Sequence, residues 1–186
     1  LQKILSSAVV IMLLTSGVMA DGYVKGSIYS SESDTTRTSN GTENGYQFSV
    51  GANGHLKATG NLFYGGEIGY SLQKSDLTST DTKDMQVFGT QVHLGWTFFE
   101  DLDVYGILGY YVSSTEYRSN GNWYLNSDGE GPIFGLGADY AIWKHFSVGA
   151  EYTTTTYDLG WSSPSGSSYR TSETYTNISG NIKFRF

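Results

Sequence analysis

One side-chain parity runs through nearly the whole chain. In the final stretch, Thr176, Ile178, Gly180, Ile182, Phe184 and Phe186 make an apolar row on even positions, against Asn177, Ser179, Asn181, Lys183 and Arg185 on odd ones. A period of two is the signature of a strand with one oily and one wet face. The same parity recurs upstream, in residues 21–30, 45–57, 61–73, 85–98, 104–115, 132–142 and 146–153, making eight segments with the last. Residues 104–115 are ambiguous, because Ile107 and Tyr111 are as large as Leu108 and Tyr110. The even set is assigned outward there to keep the parity. Polar stretches at 31–44, 74–84, 117–131 and 158–171 read as long loops, and they alternate with short links at 58–60, 99–103 and 143–145.

That alternation puts all the long loops at one end of an up-and-down sheet. Composition agrees with an all-β chain: Gly 24 and Tyr 15, with Pro only at Pro132 and Pro164. There is no cysteine, which excludes disulfides, thiolate metal sites and cysteine enzymes. Residues 1–20 read as a cleaved secretory signal, with Lys3 before an apolar run at 8–14 and the small-residue site Val18-Met19-Ala20. Residues 21–186 are left as a single barrel domain. The formal charge of −7 argues against nucleic acid as a partner.

Aromatic residues on the even face fall into two belts. Tyr46, Tyr70, Tyr110 and Tyr152 lie toward the long-loop end, and Tyr64, Trp96, Phe98, Tyr140, Phe146, Phe184 and Phe186 toward the short-turn end. Paired belts anchor a protein at the two faces of a bilayer. An even number of strands and one-sided long loops complete the expectation of an eight-stranded antiparallel transmembrane β-barrel in the outer membrane. Closure is required, because lipid cannot satisfy the free N–H and C=O groups of a sheet edge. A soluble barrel with the faces reversed is the competing architecture. It would have to pack the aromatic even face into a narrow core while glycines such as Gly51, Gly69, Gly95 and Gly149 faced water.

The segments Tyr64-Gly-Gly-Glu-Ile-Gly-Tyr70, Gln91-Val-His-Leu-Gly-Trp96, Asp101-Leu-Asp-Val-Tyr105, Pro132-Ile-Phe-Gly-Leu-Gly-Ala-Asp-Tyr-Ala-Ile142 and Val148-Gly-Ala-Glu-Tyr152 resemble strands of OmpA-like barrels. The chain is similar also to the small OmpX and opacity-type barrels. The resemblance implies lumenal acid–base pairs that block or gate the interior, with Glu67 at the gate glutamate, His93 at a lumenal lysine position and Asp139 at a lumenal acid. Gly149 stands where that family has its gate arginine. It also implies that Phe184 and Phe186 form a terminal signal read by the outer-membrane insertion machinery, with periplasmic chaperones as escorts.

By parity alone, Glu67, His93, Asp139 and Glu151 share the lumenal face with Lys25, Lys57, Lys183 and Arg185. A buried acid needs a base or hydrogen bonds, so Glu67 is expected to pair with His93 or Lys25 and plug the lumen; a hydrated polar interior with no switch is the alternative reading. No cofactor, metal site or catalytic set is expected: the loop acids lack calcium-loop spacing, and His55, His93 and His145 are scattered. Two functions remain. One is a structural, surface-interaction barrel touching lipid, lipopolysaccharide and host or neighbouring-cell molecules through loop residues Trp123, Tyr124 and Trp161. The other is a narrow porin for small solutes.

Overall fold

The computed structural model describes residues 21–34, 42–56, 61–76, 80–120, 122–162, 166 and 168–186. They form eight strands: β1 (Asp21–Asp34), β2 (Thr42–His55), β3 (Leu62–Asp76), β4 (Asp81–Phe98), β5 (Leu102–Ser119), β6 (Asn122–Trp143), β7 (Phe146–Ser162) and β8 (Ser168–Arg185). Each pairs antiparallel with the next, and β8 returns to β1 to close the barrel. The expected leader at residues 1–20 and the expected lumenal Lys57 lie outside the described residues.

The seam is a full ladder. Val24 faces Phe184, Gly26 faces Ile182 and Ile28 faces Gly180, and the Phe186 N–H donates to the Gly22 carbonyl at 2.9 Å. Paired residues followed round the ring from Arg185 through Tyr23, Gly51, Glu67, Gln91, Gly109, Ile133 and Thr155 lead back to β8 at Tyr175. Start and finish differ by ten residues, which over eight strands means a tilt of about 40°. Long strands are therefore needed to cross a membrane.

Even positions face out, as the parity predicts. Phe48, Leu94, Leu136, Tyr152, Ile178 and Ile182 are all exposed on the outside, and both aromatic belts are present. The ambiguous strand resolves the same way: Leu108 is 55% exposed and Ile107 only 1%. Ile107 is drawn inward because it packs with Phe63 and Tyr105 on the lumenal side.

Above the long-loop belt the structure corrects the loop assignments. β5 and β6 continue to Ser119 and Asn122, so most of the expected loop at 117–131 is hairpin, and Trp123 and Tyr124 belong to β6. β7 and β8 likewise run into the expected loop at 158–171. The reason is a change of solvent. Outside the bilayer the outer face meets water, so Ser114, Glu116, Arg118, Asp128 and Asp158 point out, while Met85, Val87, Tyr117, Tyr157, Leu159, Trp161 and Tyr175 form an apolar cluster inside. The period of two persists, but its polarity reverses. Pro132, expected at a strand start, sits within β6, between the Glu130–Asp158 and Ile133–Thr155 pairs of the β6–β7 ladder.

Glycine admits close approach of the walls at Gly131, where a Cβ would lie 1.8 Å from the Thr156 carbonyl oxygen. Gly26 has open space in the same place. Gly131→Ala is expected to lower the urea midpoint of the detergent-folded barrel, with a loss of about 1–3 kcal/mol, while Gly26→Ala leaves it near wild type.

Candidate functional site: the lumen

The odd positions of all eight strands converge on a narrow interior, and charged residues occupy it at three heights. Nearest the short turns, the Arg185 guanidinium meets Asp103 at 2.8 Å, and Thr97 donates to the other Asp103 oxygen at 2.7 Å. Just above, Lys183 is paired with Asp139, and its ammonium lies over the Tyr23 ring at 4.6 Å and the Tyr105 ring at 5.6 Å. Both partners are buried.

The middle group is built on Lys25. Its ammonium reaches Glu67 Oε1 at 2.8 Å and Glu151 Oε1 at 2.9 Å, joining β1 to β3 and β7 across the lumen. Glu67 also accepts from the Tyr23 hydroxyl at 3.0 Å and from the Gln91 amide at 2.9 Å. Glu151 accepts from the Tyr105 hydroxyl at 2.9 Å. Lys25 is 1% exposed, Glu67 1% and Glu151 6%. Buried charges survive only when paired and hydrogen-bonded, which this group achieves from both walls.

A third group lies toward the long-loop end. Lys83 donates to both Glu43 oxygens, at 2.8 and 3.0 Å, and to the Tyr175 hydroxyl at 3.3 Å; Tyr175 in turn donates to Glu173 at 2.9 Å, and Gln73 caps Glu43. An apolar cluster that includes Met85, Tyr117, Tyr157 and Trp161 lies at the same end of the interior, around this group.

Several expected positions are placed differently from the sequence reading. His93 is inside, but stacks near Tyr105 with ring centroids 5.0 Å apart, and no acid is within ion-pair distance among the described residues. Gly149 cannot host an arginine, since even a Cβ there would lie 2.0 Å from Asp139 Oδ1 and 2.5 Å from the Ala138 carbonyl oxygen. The cation facing Glu67 is Lys25 of β1, one of the two partners expected for it. Trp161, expected at the surface, is 7% exposed and packs against Tyr117 with ring centroids 5.3 Å apart, because its odd position turns inward above the bilayer. Glu43 and Lys83 are hidden by the loop assignments, and Glu173 falls between the last loop and the final strand; continuing the odd parity through the polar stretches would find them.

A closed eight-stranded wall, apolar outside between two aromatic belts and charged inside, defines an outer-membrane β-barrel. The chain belongs to the outer membrane protein beta-barrel domain family, whose model matches residues 6–186. Among solved structures, it is similar to the Neisserial surface protein NspA, with 14% identity and a TM-score of 0.64, covering 90% of this chain and 99% of that one. It is similar also to Ail, the attachment invasion locus protein of Yersinia pestis, with 11% identity and a TM-score of 0.61 over 90% and 97% of the two chains. A major outer membrane protein of Thermus thermophilus follows at 12% identity and a TM-score of 0.54, over 90% and 100%. These likenesses show the shared fold. No protein with a curated description matches the sequence.

Removing Lys25 strands two buried carboxylates, whereas removing Arg118 breaks only an exposed pair with Glu116. Lys25→Met is expected to cost about 3–5 kcal/mol in urea unfolding from detergent micelles, and Arg118→Ala to leave the midpoint unchanged.

Proposed function

We propose that the protein is a non-catalytic structural and surface-contact barrel with a lumen closed to solutes. The observation that carries this reading is the stacking of ion-paired groups, from Arg185–Asp103 through Lys25–Glu67–Glu151 to Lys83–Glu43, the last set among an aromatic cluster. An eight-stranded barrel has little interior room beyond its own side chains. The porin reading would need these groups to part. Liposomes carrying the protein are expected not to swell in small sugars or amino acids, and rapid swelling would reverse the ranking. The gate expected at Glu67 is tested by single-channel recording of Glu67→Ala against wild type at two pH values. Identical traces would leave the group as a static plug.

Support for a non-catalytic role comes from the histidines. His55 and His145 are exposed near the short turns, far from lumenal His93, and His145 Nδ1 is engaged by the Arg185 carbonyl at 3.1 Å. Outside the bilayer, the exterior carries Glu32, Asp84, Glu116, Asp128, Glu130 and Asp158 against Lys74, Arg118 and Arg170. Ail has been solved in complex with the heparin analogue sucrose octasulfate. The acidic exterior here favours a cationic partner, or contact with lipopolysaccharide phosphates bridged by divalent cations, over a sulfated saccharide. The protein is expected to pass through heparin resin at physiological salt, and retention would reverse this assignment. The part of Trp123 and Tyr124 in such contacts belongs to the same proposal.

Phe184 and Phe186 lie exposed on the outer wall beside the seam. In this reading they present the assembly signal to the insertion machinery after export through a cleaved leader. Deleting Phe186 is expected to reduce surface levels in cells more than it lowers the unfolding midpoint in micelles, as read by surface labelling beside urea titration. Normal surface levels would remove the role.

A further inference from the structure

Between the middle and upper charged groups lies a partly open lumenal chamber of about 40 Å³, lined by Tyr29, Ser31, Glu151, Thr153, Asn177 and Ser179 among others. A water-sized occupant needs roughly 10–15 Å³ by the same measure, so the space is ample. Its lining is rich in oxygen. Ser31 is 1% exposed, and its hydroxyl has no hydrogen-bond partner among the described residues.

The charges beside the chamber do not balance. Lys25 serves two carboxylates, Glu67 and Glu151, and the neighbouring cations are committed elsewhere, Lys183 to Asp139 and Lys83 to Glu43. His93, with no acid within ion-pair distance among the described residues, enters the count as neutral. The middle group therefore carries one excess negative charge. Glu67 takes donors on both oxygens, whereas both bonds to Glu151, from Lys25 and Tyr105, fall on Oε1. Glu151 Oε2 receives neither of these bonds and borders the chamber, where the uncompensated charge calls for a positive occupant.

We propose that this chamber binds one monovalent alkali cation, ligated by Glu151 Oε2 and by hydroxyl and amide oxygens of Ser31, Thr153 and Asn177. A single excess charge and a single carboxylate suit a monovalent ion; calcium takes six to eight oxygen ligands, commonly with several carboxylates. Among the described residues no three His, Cys, Asp or Glu side chains converge as a transition-metal site. The inference rests on the closed-lumen reading, in which the charged groups on either side bound the chamber.

Crystals of the wild-type barrel grown in rubidium chloride decide the matter. Anomalous density in the chamber beside Glu151 is expected, and a chamber holding only water would overturn the proposal. In solution, the midpoint of the heat-dependent gel shift should be about 2–4 °C higher in potassium chloride than in choline chloride at equal ionic strength, for salt several-fold above the dissociation constant. Glu151→Gln should abolish that difference; if this variant does not fold, the wild-type rubidium crystal still decides. A midpoint that responds to pH but not to the cation, with no rubidium density, would assign the compensating charge to a shared proton and overturn the site. Conductance distinguishes the two readings: chamber density in a conducting protein would sink the closed lumen and keep the site, and absent density in a silent one would do the reverse.

Discussion

Every other feature of this molecule depends on the pairing of β1 with β8. In hydrocarbon an unpaired strand edge leaves N–H and C=O groups with no water to bond, at several kcal/mol each. Once the ring is closed, strand number and stagger fix its radius, and the radius fixes how much the interior can hold. Glycines on the lumenal face, such as Gly51 under the Tyr23 ring and Gly137 under Tyr105, make room for side chains from the opposing walls. The tyrosines that occupy this room carry the hydroxyls that bond Glu67 and Glu151. Wall geometry and lumenal chemistry are thus one problem, solved by alternating absent and large side chains.

The membrane-embedded part is legible in the sequence because lipid and lumen impose opposite demands on adjacent residues. Ile28 and Ser27, or Leu94 and His93, could not exchange places. Parity alone also puts Glu67, Asp139, Glu151, Lys25, Lys183 and Arg185 inside, where the folded barrel holds them. It does not say which cation meets which acid, since that depends on the stagger between strands far apart in sequence. Lys25 and Glu151 are separated by 126 residues and touch only through closure. The strand extensions escape the sequence reading for a different reason. Their outer residues are polar because water bathes them, and a polar stretch reads as a loop although Met85, Val87, Tyr157 and Leu159 keep the alternation inside.

Two modes of filling the barrel follow from those two surroundings. Within the bilayer, where the outside is already oily, the inside holds charge in ion-paired groups. Beyond it, where the outside is wet, the inside is an aromatic core like that of a soluble domain. The Lys83–Glu43 pair is set among the apolar cluster residues, with Tyr175 bonding to the ion pair through its hydroxyl and packing into the cluster with its ring.

That reversal of polarity along a single strand sets a rule for how the protein can vary in length. On β7, outward Tyr152 belongs to the lipid anchor and outward Asp158 to the aqueous surface. Adding one residue between them would turn Tyr157, Leu159 and Trp161 out into water and Asp158 into the core. Adding two would keep every side chain on its proper face and only raise the rim. The extracellular hairpins can therefore lengthen or shorten in even steps with little penalty, while odd steps require a bulge such as the one beside Tyr117 and Arg118.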